Sequence, residues 1–149
     1  MADLTLAQAR RIVDTALAHG RSLSLAPLAV AVLDTRGTLK AFAAEDGTSL
    51  LREDIAQGKA WGALGLGFGG RELRRRSQHA PVFFGALQAM SGGRMVPVPG
   101  GVLVRDAQGT VVGAVGISGD QSEQDEACAV HGIREAGLVS DTGDAAEAA

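Results

Sequence analysis

Apolar positions recur at three- and four-residue spacing at the start of the chain. Leu6, Ala9, Ile12, Val13, Ala16 and Leu17 fall on one face of a helix expected over residues 5–19. Thr5 and Gln8 open it at capping-box spacing, each able to satisfy a backbone N–H of the other, and Gly20 is the expected stop. The period then changes. Leu28–Asp34 and Leu39–Ala44 are short apolar runs on either side of Thr35-Arg36-Gly37-Thr38, a hairpin signal. The first run, Leu28-Ala29-Val30-Ala31-Val32-Leu33, is apolar on both faces, which predicts a central strand covered on both sides.

Helical spacing returns over residues 50–63, with Ser49 as the expected N-cap and Leu51, Ile55 and Gly58 or Lys59 along one side. A glycine-rich break from Gly62 to Gly70 leads to two short helices, around 71–78 and 82–90, divided at Pro81. Residues 91–100 carry Pro97 and Pro99 and read as loop or edge strand. Gly101–Arg105 and Thr110–Ser118 make a second hairpin around Asp106-Ala107-Gln108-Gly109. Ser122 is expected to cap a last helix that reaches about Ala136. Asp125 stands at its capping-box acid position, Glu126 lies near the positive end of the dipole, and Gly137 ends it.

Hairpins with helices between them predict a single α+β domain, an antiparallel sheet with helices on particular faces. No internal repeat is present. The domain is expected over residues 1–139; residues 140–149 lack apolar anchors and are expected to form a disordered tail.

Composition narrows the function. The chain has 149 residues, a net charge of −3 and only 3% aromatic residues with no tyrosine. Nucleic-acid binding domains are usually basic and offer rings for stacking, so that class is set aside. The one basic run, Arg71 with Arg74, Arg75 and Arg76, reads first as a solvated helix face. No run approaches the roughly 20 apolar residues that span a bilayer. With an acid at position 3 and a single cysteine, Cys128, the expected location is the cytoplasm.

Candidate chemistry gathers at a few places. Lys59 is one of two lysines and sits in Gln57-Gly58-Lys59-Ala60-Trp61, among small and apolar neighbours. Its ammonium is either a grip for a carboxylate or a snorkelling surface group. Pro99-Gly100-Gly101 is either an anion-receiving turn with unshielded amides or a tight strand entry. Ser118-Gly119-Asp120 joins a buried strand to the last helix, where free amides and the helix dipole converge on a ready anion site. Chain order places both glycine loops at the ends of one hairpin, so they are expected to line one pocket. Cys128 and His131 share a helix face at i, i+3, but two ligands do not make a metal site, and none is assigned. His79 precedes Phe83, Phe84 and Met90 and follows the arginines, a set able to cover a porphyrin and meet its propionates.

The run Pro99-Gly100-Gly101-Val102-Leu103-Val104, then Val112-Gly113-Ala114-Val115-Gly116-Ile117-Ser118-Gly119, then Asp125-Glu126 and Ala129, resembles the signature of the GlcG/HbpS family, also called haem-degrading or PduO C-terminal-like. Val30-Ala31-Val32-Leu33-Asp34 with Gly37, and Lys59-Ala60, are similar to upstream features of the same family, so the likeness spans residues 6–138. One departure is Val102-Leu103, where the family pattern has a proline. The resemblance implies a profilin-like fold, a five-stranded antiparallel sheet flanked by helices, assembled into dimer-based homo-oligomers. It implies a small-molecule-binding protein for haem or a related tetrapyrrole, with ligand-binding residues expected among Lys59, His79, Pro99, Gly100, Gly101, Gly119, Asp125 and Glu126. The alternative is a cofactor-independent enzyme acting on a small organic acid. In it Lys59 and the glycine-loop amides hold the carboxylate, and Asp125 or Glu126 moves protons.

Overall fold

A computed structural model describes residues 3–144. In chain order it contains α1 (Leu6–Ser22), β1 (Ala29–Asp34), β2 (Leu39–Ala44), α2 (Arg52–Leu66), α3 (Gly70–His79), α4 (Pro81–Met90), β3 (Gly101–Arg105), β4 (Val111–Ser118), α5 (Ser122–Glu135) and β5 (Val139–Asp141). The strands form one antiparallel sheet in the order β2-β1-β4-β3-β5. This is the α+β fold with a five-stranded antiparallel sheet that the sequence and its family likeness imply.

The period-two side-chain rule explains the layers. Val30, Val32, Val102, Val104, Val115 and Ile117 point to one face and pack under α1 and α5, against Ile12, Val13, Ala16, Ala129 and Ile133. Their neighbours point the other way, under α2, and most of them are small: Ala29 and Ala31 meet Ala56, and Ala114 meets Ala60 and Ala63. The small residues let α2 approach the sheet backbone. A β-carbon at Gly116 would lie 1.8 Å from the Ala56 carbonyl oxygen, and one at Gly101 would lie 2.3 Å from the Lys59 carbonyl oxygen. The abundance of alanine and glycine is thus the composition of one thin layer.

Both hairpin turns use one device. Asp34 Oδ1 accepts from the amides of Arg36 and Thr38, and Asp106 Oδ1 accepts from those of Gln108 and Thr110. The Thr5–Gln8 capping box is formed.

Several local expectations change. Helix α1 continues past Gly20 to Ser22; that glycine is buried against Leu28, whose Cδ1 would lie 2.6 Å from a β-carbon there. Ser49 does not cap α2. Its carbonyl, not its hydroxyl, takes the Arg52 amide in a turn, and the helix begins three residues later. Ser122 is the first helical residue of α5, preceded by Gln121, and makes no side-chain cap. Pro81 starts α4 at the position where its missing N–H costs nothing. Where the family pattern has proline, Val102 and Leu103 lie in β3; Val102 pairs with Val115 of β4, and Leu103 with Ala114 on one side and Asp141 on the other, an interior place that disfavours proline. The sheet also extends beyond the expected boundary at 139. Ser140 and Asp141 pair with Val104 and Leu103, and Asp141 holds Arg105 at 2.9 Å. The remainder of the expected tail, residues 145–149, lies outside the described residues.

Gly116→Ala is expected to lower unfolding stability by about 3 kcal/mol or more, because backbone rather than a flexible side chain occupies the space. Gly85→Ala in α4, where a β-carbon meets nothing within 4 Å, is expected to be neutral or to gain up to about 1 kcal/mol. Urea unfolding of the two variants checks the contrast.

Candidate functional site

Lys59 leaves the buried side of α2 and runs through the gap left by Gly100. Its Nζ donates to the Ile117 carbonyl at 2.8 Å and to Asp125 Oδ2 at 3.0 Å. Both side chains are almost fully buried, at 3% and 1% exposure. A β-carbon at Gly100 would stand 2.8 Å from that nitrogen, and the residue's φ of 108° adds a conformation that favours glycine. The glycine pair after Pro99 is therefore accounted for by strand entry and by the lysine's path. The other oxygen of Asp125 accepts from the Asp120 amide at 3.0 Å. The amide that the sequence offered to an outside anion is occupied by the protein's own carboxylate.

Burial pushes the Lys59 ammonium below its ordinary range and the Asp125 carboxyl above its own, each restrained by the opposite charge of the other. Glu126, the neighbouring acid, points elsewhere and pairs with Arg71 in a forked contact of 2.7–2.9 Å. Gly119 lies against Pro27 and Leu28, and Pro99 lies against Gly70 at the start of α3. Structure thus brings Lys59, Gly100, Gly101 and Asp125 into one cluster, with Gly119 next to Asp120 at its edge. Glu126 and Pro99 contact α3, and His79 stands apart at that helix's far end. Arg52, at the start of α2, donates to Ser118 Oγ at 3.0 Å.

His79 borders a cavity of about 520 Å³ between α3 and α4, within the usual range for small-molecule sites. Phe68, Phe83, Phe84 and Leu66 supply apolar walls, and Arg75 and Arg76 stand at its rim. Arg76 lies 4.0 Å over the Phe68 ring. Glu72 ion-pairs with both arginines, and Arg75 is held as well by Asp144 and the Gly143 carbonyl; these pairs are about half exposed, and a ligand carboxylate can compete for them. Met90, expected beside His79, is 78% exposed and does not line the cavity. Much of this set is legible in sequence because it is contiguous along the chain.

The remaining histidines meet where sequence reading did not place them together. His19 and His131 stack at 4.1 Å across α1 and α5, and burial followed by the neighbouring imidazole lowers the His19 pKa. Cys128 is buried, which pushes its thiol up to about 11, so it stays protonated. Among the described residues no cluster of three or more metal-ligating side chains is present.

The model for the haem-degrading, HbpS-like protein family matches residues 4–134. The chain belongs to the HbpS-like family. No curated protein sequence matches it significantly. The crystal structure of a PduOC–haem complex is similar with a TM-score of 0.83 at 25% identity, over 96% of this chain and 100% of that one. Klebsiella pneumoniae protein ORFY matches with a TM-score of 0.81 at 26% identity, over 92% and 93%. A double mutant of Streptomyces reticuli HbpS matches with a TM-score of 0.78 at 26% identity, over 91% and 88%.

Asp125→Asn leaves the Lys59 ammonium buried without a counter-charge and is expected to cost about 3–5 kcal/mol. The double variant Lys59→Met/Asp125→Leu is expected to recover most of that loss. Chemical denaturation of both variants checks this; equal losses would show that the cost does not come from an uncompensated charge, and a neutral Asp125→Asn would show that the pair does not hold the elements together.

Proposed function

We propose that this HbpS-like chain binds haem or a related tetrapyrrole in the cavity between α3 and α4. The observation that carries the reading is the convergence of one imidazole, three phenyl rings and two guanidiniums on a single opening. That donor set fits the group chemically. His79 would supply a nitrogen to hold the iron, the rings would cover an apolar macrocycle, and Arg76, with Arg75 released from Glu72 and Asp144, would meet propionates. The solved haem complex of PduOC, similar over nearly the whole chain, supports the same ligand class.

The organic-acid reading receives less support, because Lys59 and Asp125 satisfy each other inside the molecule. We further infer a dimer-based homo-oligomer: Val82 and Phe83 on α4 are 88% and 57% exposed beside the cavity, apolar area that a second copy would cover. A cytoplasmic location accords with one buried free thiol and with the absence, among the described residues, of any helix long and apolar enough to cross a membrane.

Titration of the apo-protein with haemin, followed at the Soret band, tests the proposal. The wild type, His19→Ala and His131→Ala are expected to shift the band alike, and His79→Ala to lose the histidine-ligation signature with weaker binding of about tenfold or more. No Soret change in the wild type, or loss of the signature in His19→Ala with His79→Ala unaffected, would overturn it.

A further inference from the structure

A second cavity, of about 410 Å³, opens on the other side of α2. Leu33, Ile55 and Trp61 line its apolar part, and Asp54, Gln57 and Arg94 stand around them. None of these residues takes part in the tetrapyrrole site proposed above.

The cavity wall is held in place by contacts on the page. The Arg94 guanidinium lies 4.1 Å over the Trp61 ring. The loop that carries Arg94 is clamped on α2: Val96 donates to the Gly58 carbonyl at 3.2 Å, and a β-carbon at Gly58 would lie 2.6 Å from the Arg94 carbonyl oxygen. On the other edge of the indole, a β-carbon at Gly37 would lie 3.4 Å from Trp61 Cδ1, so the β1–β2 turn rests against it. A ring-stacked guanidinium keeps its N–H edge available for a carboxylate. Among the described residues, the side chains of Arg94, Asp54 and Gln57 take part in no ion pair or hydrogen bond. Arg94 and Asp54 border one cavity with opposite charges and do not reach each other.

We propose that this cavity is a second ligand site, for a small zwitterion of the amino-acid class, with its carboxylate on Arg94 and its ammonium on Asp54. Gln57 donates or accepts between them, and the apolar part of the ligand rests on Ile55 and Trp61. Opposed, separated charges favour a ligand that carries both, because a ligand with only one charge makes one of the two ionic contacts and forgoes the other. A pinned loop lowers the ordering cost of binding.

Trp61 is the only tryptophan and the chain has no tyrosine, so intrinsic emission comes from one residue on the wall of this cavity; the indole also packs against the Leu73, Phe84 and Met95 cluster, so the Arg94 and Asp54 variants assign any response to this site. The apo-protein is titrated with linear ω-amino acids of increasing length, with butyrate and butylamine as single-charge probes. Emission and calorimetric heat are recorded together. At least one ω-amino acid is expected to give a saturable change in both, and the single-charge probes to bind about tenfold more weakly or not at all. Arg94→Gln and Asp54→Asn alter exposed side chains and leave the fold intact; each is expected to weaken binding about tenfold. His79→Ala is expected to bind these ligands as the wild type does, which separates this site from the tetrapyrrole reading. No saturable response to any member of the series, or binding unchanged in Arg94→Gln, would overturn the proposal.

Discussion

The buried Lys59 ammonium is the group around which the rest of the molecule is arranged. It stands between the Ile117 carbonyl at the end of β4 and the Asp125 carboxylate at the start of α5. One nitrogen ties α2 to β4 and α5, two consecutive elements far from it in sequence. Its side chain needs the space beside Gly100, and the same close approach of α2 to the sheet needs Gly101, Gly116 and the alanines of the lower sheet face. Desolvation of both charges is expensive, and the pull on each pKa is in the unfavourable direction. What the pair supplies is register: an apolar pair could slide, whereas an ammonium with two fixed acceptors has one position.

That arrangement reassigns the residues most conspicuous in the sequence. Glycine turns, a helix-borne lysine and two adjacent acids look like a carboxylate site, and the structure shows a carboxylate there. It belongs to Asp125, which also takes the Asp120 amide. Space for a ligand lies instead at the two ends of the α2–α4 region, where the side chains are aromatic and cationic. The scarcity of rings in the chain sharpens this division, since three of its four phenylalanines border one cavity and its tryptophan borders the other.

Features carried by local periodicity were legible before any coordinates. The two-faced apolar run of β1, both Asp-x-x-Gly hairpins and the α1 capping box follow from short-range rules. The misreadings share a cause, which is competition from distant contacts. Gly20 looks like a helix stop and is a packing site against Leu28. Ser49 and Ser122 look like caps, but the carbonyl of Ser49 and the carboxylate of Asp125 do the bonding there. Strand β5 has only three residues and is defined by its pairing with β3, so nothing in its own sequence announces it. The His79 cavity was half legible because its residues are neighbours along the chain; the His19–His131 stack was invisible because its partners belong to opposite ends.

Haemin carries a paramagnetic iron, which broadens amide resonances near it, and this maps the ligand without any substitution. With substoichiometric haemin added to isotopically labelled protein, the account predicts broadening centred on Leu66, Phe68 and residues 75–84, with Ser118, Gly119 and Asp120 little affected. Broadening centred on Ser118–Asp120 with sharp resonances throughout α3 and α4 would contradict it.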